Sequence, residues 1–244
     1  MRYKRVLVKL SGGAVAKENG FGFDPVQLEH IAGEILALLD MGVEVAIVIG
    51  GGNIFRGNMA DQWGIERVEA DNIGTLATVI NSLMLRGVLK ARVNREVRVM
   101  TAVPINAVAE PYIRLRAVHH LEKGHVVIFA GGNGQPYVTT DYPAVQRALE
   151  VGADALLVAK HGVDGVFTAD PRKDSTAKQY VEVSFDEVVR RDLRVMDQAA
   201  MILARDHQLP LHVFNFDQLG AMARICRGEQ VGTYISTELA ALYK

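Results

Sequence analysis

The residues best equipped for chemistry lie at the end of an apolar run, in VAIVIGGGNIFRG from Val45 to Gly57. Val45 to Ile49 shows no polar alternation, which suits a strand covered on both faces. Gly50, Gly51 and Gly52 remove the Cβ atoms that would block close approach, and unpaired N–H groups in such a turn form a concavity for an anion. Arg56 adds a planar fork of donors that matches a phosphate. The alternative reading is a plain strand-to-helix turn carrying a surface arginine. A second loop of this kind, GGNGQPYVTTD from Gly131 to Asp141, follows the apolar run Val126 to Ala130. Thr139, Thr140 and Asp141 precede Pro143, Val145, Ala148 and Leu149, so the N–H groups and positive dipole end of a helix lie near that loop. Two such junctions imply one large polyanionic ligand or two phosphate-bearing ligands.

Three further charged side chains have two readings each. Lys9, near the end of the strand-like run Arg5 to Leu10, is either an edge-strand solubility residue or a phosphate contact, because a lysine in an apolar run needs a partner or a cleft. Asp141 either caps its helix or organises a lysine or a magnesium ion; unaided it would repel an anion. Asp71, with Asn72, caps a helix running from Asp71 to Ala91, or reaches a ribose hydroxyl. His119 and His120 are adjacent and point apart on a helix, so metal binding is not expected there.

These residues need a frame. Asp24 followed by Pro25 is a helix start, and Leu28, Ile31, Ile35 and Leu38 recur at helical spacing up to Gly42. Strand, helix and the strand Val43 to Ile49 form a βαβ unit, so Lys9 and Gly50 belong at the same edge of a parallel sheet, where open α/β sheets bind ligands. In the second helix Leu76, Val79, Ile80 and Leu83 make the apolar face. Further strands are expected at Val97 to Val103, Val126 to Ala130, Ala155 to Val158, Leu211 to Phe214 and Gly232 to Ile235. Helices are expected within Tyr112 to Lys123, after Ser184 and Glu187 (a capping-box pattern), from Met196 to His207, and around Leu219 to Arg227. Asp164-Gly165 and Asp170-Pro171 mark turns flanking a short strand at Val166-Phe167. Residues 238–244 are expected to fray.

The chain has 244 residues, 49% hydrophobic and 23% charged, with 27 Lys and Arg against 28 Asp and Glu. This near-neutral balance gives no basic stripe for nucleic acid or an anionic membrane. The single cysteine, Cys226, rules out an internal disulfide framework and a cysteine-based zinc site; it reads as a buried small residue in a helix. Without a signal region or a run of about 18 uniformly apolar residues, the expected location is the cytoplasm. There is no Walker A motif, no strict dinucleotide fingerprint after the first strand, no protein-kinase signature and no nucleophile elbow. Glycine loops with lysine, arginine and carboxylates remain, the equipment for phosphoryl transfer.

VKLSG (Val8 to Gly12), VIGGGNIFRG (Val48 to Gly57), Asp71 to Gly74, GQPYVTTD (Gly134 to Asp141), VDGVFTADP (Val163 to Pro171) and LARDHQLPLHVFN (Leu203 to Asn215) together resemble the bacterial uridylate kinases of the amino acid kinase superfamily. The resemblance implies a single α/β/α sandwich domain around a mostly parallel sheet, with an acceptor half over residues 1–150, an ATP half over 151–236 and a tail beyond, assembled as a homohexamer. It implies conversion of UMP and ATP to UDP and ADP with magnesium, whose ligands the sequence does not single out. Lys9, Ser11 and Gly12 would hold the ATP phosphates, with Lys9 bridging donor and acceptor and Asp141 orienting Lys9 or magnesium. Gly51 would meet the UMP phosphate, and Gly52 and Arg56 would lie where the two nucleotides' phosphates approach. Asp71 and Asn133, Gly134, Gln135, Pro136, Tyr137, Val138, Thr139 and Thr140 would hold the ribose and uracil of UMP. His161, Phe167 and Asp170 would flank the adenosine half. GTP activation is implied through Lys17, Glu18, Asn19, Gly20, Phe21 and Gly22, and UTP would inhibit. The chain departs from the family pattern at Gly13, commonly glutamate, and at His161, often asparagine or threonine. A phosphate monoester has a second pKa near ~6, so its oxyanion needs no general base at neutral pH.

Overall fold

In the computed structural model, residues 1–237 and 242–243 of the chain are described. Their strands are β1 (Arg5–Leu10), β2 (Glu44–Ile49), β3 (Val97–Thr101), β4 (Glu110–Pro111), β5 (Val126–Ala130), β6 (Ala155–Lys160), β7 (Tyr180–Ser184), β8 (Leu211–Asn215), β9 (Thr233–Ser236) and β10 (Leu242–Tyr243). They form one sheet in the order β10-β7-β9-β8-β6-β1-β2-β5-β3-β4. From β8 through β4 every neighbouring pair is parallel, while β8 with β9 and β7 with β10 are antiparallel.

The helices are α1 (Pro25–Asp40), α2 (Gly57–Trp63), α3 (Arg67–Lys90), α4 (Arg114–Glu122), α5 (Asp141–Glu150), α6 (Phe185–Arg190), α7 (Gln198–Asp206) and α8 (Ala221–Arg227). Side chains alternate across a strand, and here both faces are covered. Val6, Val8 and Leu10 enter one core with α1, α3 and α8, whereas Leu7 enters the other with α4, α5, α6 and α7. The expected three-layer α/β/α sandwich is therefore present, and it explains the apolar runs without polar alternation. Asp24 caps α1, its Oδ1 accepting from the Val26 amide at 2.8 Å, and the Ser184 hydroxyl accepts from the Glu187 amide at 3.2 Å.

Several boundaries differ from expectation. Helix α3 begins at Arg67, so Asp71 lies one turn inside it and is no cap; Glu66 occupies that position and makes no side-chain cap bond. The separate helix α2 ends at Gly64, whose φ of 66° is left-handed. Of the expected apolar face, Val79 is buried and Leu83 packs against the core, but Leu76 and Ile80 are exposed, and Ala77, Thr78, Asn81 and Ser82 are buried in their place. Strands β4, β7 and β10 were not expected, and Val166-Phe167 forms only an isolated bridge between Phe167 and Gln179. Of the tail expected to fray, Leu242–Tyr243 pairs with β7, and residues 238–241 and 244 lie outside the described residues. By length and composition α3 could cross a bilayer, but here it packs along β3 and β5 as part of the fold.

The topology leaves β1 with β2 on one side and β6 on the other. The loops after β1, β2 and β5 thus gather at one edge beside those after β6 and β8. This is the crevice at the carboxyl ends of the strands where doubly wound sheets place their ligands.

Candidate active site

Lys9 sits in the centre of the sheet, opposite Val48 of β2 and Val158 of β6. The edge-strand reading therefore falls. Its ammonium makes a 2.6 Å ion pair with Asp141 Oδ1, the two side chains being only 10% and 16% exposed. Asp141 opens α5 rather than capping it, Thr140 being the cap residue. The other Asp141 oxygen accepts from the Asp197 amide at 3.1 Å, and the Asp197 carboxylate accepts from the Thr139 hydroxyl. A carboxylate held at both oxygens fixes the direction from which Lys9 is addressed.

Lys160 ends β6 two residues beyond Val158, so it points to the same face as Lys9. It donates to the Val195 carbonyl at 2.5 Å. Burial holds its pKa below the ordinary lysine range, helped by the Lys9 charge and opposed by Asp141. Two cations and one carboxylate therefore share the floor of the crevice.

Two glycine loops close over this floor. A Cβ on Gly12 would strike the Gly52 amide nitrogen and lie 2.9 Å from that of Asn53, and one on Gly50 would lie 3.1 Å from the Gly12 nitrogen. Only glycine allows the loops after β1 and β2 to meet. Among the described residues the N–H groups of Gly51, Gly52 and Asn53 have no hydrogen-bond acceptor. Ser11 precedes this junction. A Cβ on Gly13 would meet only the Ser11 hydroxyl, at 3.6 Å, so this position has room for a side chain.

Arg56 folds back over the second loop. Its Nε donates to the Gly52 carbonyl at 2.9 Å and its Nη2 to that of Gly20 at 3.1 Å, and the guanidinium lies 5.4 Å from the Phe21 ring centre. The segment Lys17 to Gly22 is a compact turn: the Gly20 amide donates to the Lys17 carbonyl at 2.7 Å, and the Asn19 side chain accepts from the Phe21 amide at 3.0 Å. Glu18 lies within it, exposed. The Gly22 amide donates to the Asn53 carbonyl at 2.9 Å. This segment is thus built onto the Gly50 loop.

The third loop leans on α3. Asp71 accepts from the Tyr137 amide at 2.7 Å and pairs with Arg67, whose guanidinium lies 5.3 Å from the Tyr137 ring centre. Tyr137 holds a left-handed φ of 65°, a conformation uncommon for a non-glycine residue and a sign of imposed geometry. Asn133 turns the chain by accepting from the Gln135 amide at 3.1 Å, and the Gly134 amide donates to the Gly131 carbonyl at 3.0 Å. Pro136 and Val138 flank Tyr137 at the open side.

A family model for the amino acid kinase family matches residues 4–215. The uridylate kinase of Frankia alni is 65% identical over 236 residues, covering 97% of this chain and 92% of that protein. That of Frankia casuarinae is likewise 65% identical, covering 97% and 91%. The chain belongs to the amino acid kinase family, in its uridylate kinase branch. Among solved structures it superposes on the UMP kinase from Bacillus anthracis with TM-score 0.98 and 65% identity over all of both chains. It also superposes on the UMP kinase from Ureaplasma parvum with TM-score 0.91 and 32% identity, over 97% of this chain and all of that one.

On the β6 side of this amino acid kinase, a cavity of about 600 Å³ is lined by Lys160, Phe167, Asp170 and the segment from Arg191 to Val195. His161 does not line it. Its ring pairs with Asp217 at 2.7 Å, and the same carboxylate accepts from the Gly162 amide at 2.9 Å. Lys160, Asp197 and Asp217 were absent from the sequence-based set. Lys160 carries the same signal as Lys9, a lysine closing a buried strand, but the strand was expected to stop at Val158. Asp197 and Asp217 had no such signal, since only the fold brings them to Asp141 and His161.

Proposed function

We propose that this chain transfers the γ-phosphoryl group of ATP to UMP, giving UDP and ADP. The observation that carries the reading is a buried Lys9–Asp141 pair at the carboxyl edge of the sheet, where the loops after β1 and β2 meet and, among the described residues, the Gly51, Gly52 and Asn53 amides have no acceptor. The comparisons add that such chains are named uridylate kinases. UMP brings its own oxyanion, so the task is to overcome repulsion between two anions rather than to remove a proton. Lys9 bridges the donor and acceptor phosphates, Ser11, Gly12 and Gly52 cradle those of ATP, and Gly51 takes that of UMP. Arg56 swings from the Gly52 and Gly20 carbonyls to the transferring group. Asp71 and residues Asn133 to Thr140 hold the ribose and uracil; Phe167 and Asp170 line the adenosine side, with His161 at its margin. Within one domain, residues 1–150 thus serve the acceptor and the ATP phosphates, and residues 151–236 the adenosine side of the donor.

Kinases that use ATP employ a divalent metal, and we assign magnesium here. Among the described residues no three His, Cys, Asp or Glu side chains form a metal cluster. Magnesium leans on one or two carboxylates and on substrate phosphates; Asp141, paired with Lys9, and Asp197, whose amide bonds Asp141, would be the carboxylates to hold it, so the donor set fits. Bound there, the ion would neutralise phosphate charge. The reading extends to a cytoplasmic homohexamer activated by GTP through Lys17 to Gly22 and inhibited by UTP.

The test is ADP release with ATP and magnesium, offering UMP, CMP, dUMP and carbamate in parallel, with and without GTP. Turnover confined to UMP is expected, with GTP raising it. Absent turnover, combined with tight UMP or UTP binding, would make the chain a nucleotide sensor instead.

A further inference from the structure

Helix α3 carries a polar set where burial favours apolar residues. Asn81 is 1% exposed, Thr78 7% and Ser82 0%, and Asn53, which meets them from the Gly50 loop, is 0%. Burying amides and hydroxyls costs free energy unless each is hydrogen-bonded. Here each is: Ser82 donates to the Thr78 carbonyl within the helix at 2.7 Å, and Thr78, Asn81 and Asn53 find partners at the starts of the glycine loops. Asn81 Nδ2 donates to the Gly50 carbonyl at 2.7 Å and to Asn53 Oδ1 at 2.6 Å. Asn53 Nδ2 returns a bond to Asn81 Oδ1 at 3.1 Å and reaches the Gly22 carbonyl at 2.9 Å. The Thr78 hydroxyl accepts from the Gly131 amide at 2.9 Å and donates to the Thr75 carbonyl at 2.7 Å. One helix face therefore holds the loop after β2, the loop after β5 and the Gly20 to Gly22 turn.

The rigidity of the peptide group turns this anchoring into an orientation. In a trans peptide the C=O and the following N–H point in opposite directions. With the Gly50 carbonyl drawn inward to Asn81, the Gly51 N–H must point outward to the crevice. Gly51 is pressed flat against the helix as well: a Cβ there would lie 2.7 Å from that of Ala77 and 2.8 Å from the Gly74 carbonyl oxygen.

We infer that Thr78, Asn81 and Asn53 are positioning residues for phosphoryl transfer, which aim the Gly51 amide and the Gly131 loop at the acceptor phosphate from behind. They touch no substrate. This inference rests on the proposed UMP kinase reading, and its test separates the two.

Steady-state kinetics with UMP varied at saturating ATP, and the reverse, would compare wild type with Thr78→Val, Thr78→Ser and Asn81→Ala. Thr78→Val keeps the side-chain shape and leaves the Gly131 amide without its acceptor. Its kcat/KM for UMP should fall about tenfold or more, the scale of one buried unpaired donor. The KM for ATP should stay put, and Thr78→Ser should recover most of the loss. Asn81→Ala should fall further. A lower melting temperature with unchanged kinetic constants in Thr78→Val would overturn the inference, as would a serine variant as defective as valine. Amide hydrogen exchange on the wild-type chain needs no variant to fold: Gly131 should be protected with and without UMP, Gly51 only with it. Protection of Gly51 in the free protein would refute the outward orientation. Wild type without UMP turnover would sink the kinase reading, whereas active wild type with indifferent variants would sink this inference alone.

Discussion

Lys9 and Lys160 leave neighbouring parallel strands on one face, with Asp141 the carboxylate that offsets both. A group preorganised in this way stabilises the charge that develops in transfer more than it aids binding. Lys9→Ala should therefore retain UMP binding by calorimetry and lose about 10² or more in kcat; wild-type turnover would contradict it. Lys9 was legible in the sequence because a lysine in an apolar run needs a reason. His212 was not legible, because its partner Tyr3 is distant in the chain, at 2.7 Å only after folding. Burial, with the Arg2 charge adding to it, lowers the His212 pKa from 6.5 to about 3. The unfolded chain thus binds a proton below pH 6.5 that the folded chain refuses. Stability should be full above that pH and decline toward pH 3, by up to about 1.4 kcal/mol per unit from this residue. Chemical denaturation across this range should show a shallower decline in His212→Gln than in wild type; equal slopes would remove His212 as the cause.

At the scale of elements, what the sequence made legible depended on local signals. Strand β1 and helix α1 were read correctly because their boundaries are set by Arg5 to Leu10 and by the Asp24-Pro25 start. Asp24→Ala should remove one cap bond, costing about 1 kcal/mol. For a domain of this size that is a fall of roughly 2–4 °C in melting temperature, read by calorimetry. An unchanged transition would mean that the chain end of α1 is held by packing alone. Helix α3 misled because Asp71 and Asn72 look like caps, whereas the true start at Glu66 makes no cap bond. Beside the buried Val79, Leu85 and Leu89, its inner face carries Thr78, Asn81 and Ser82, two of which grip loop backbone, and hydropathy alone assigns such residues to solvent. The strands β4 and β10, two residues each, exist only through their neighbours and have no period to read.

For the whole molecule, the exposed side of α3 leaves an apolar stripe outside. Ile73, Leu76, Ile80 and Met84 recur every three or four residues on α3 and are all exposed in the single chain, so they form one face. Contiguous exposed apolar surface marks an interaction site more often than chance, and the proposed homohexamer supplies a second copy of the same helix as its occupant. A two-fold contact would bring each stripe residue near its own symmetry mate, so one charge introduced there meets itself and repels. Ile80→Glu should therefore convert the assembly to smaller species by light scattering, with the far-ultraviolet circular dichroism of the folded chain retained. The Thr78 and Asn81 anchors lie on the buried side of the same turns, so loss of the helix contact should also weaken UMP more than ATP in steady-state kinetics. An Ile80→Glu variant with unchanged mass in solution would place the assembly surface elsewhere, and unchanged UMP kinetics in a dissociated variant would show that the anchors hold without it.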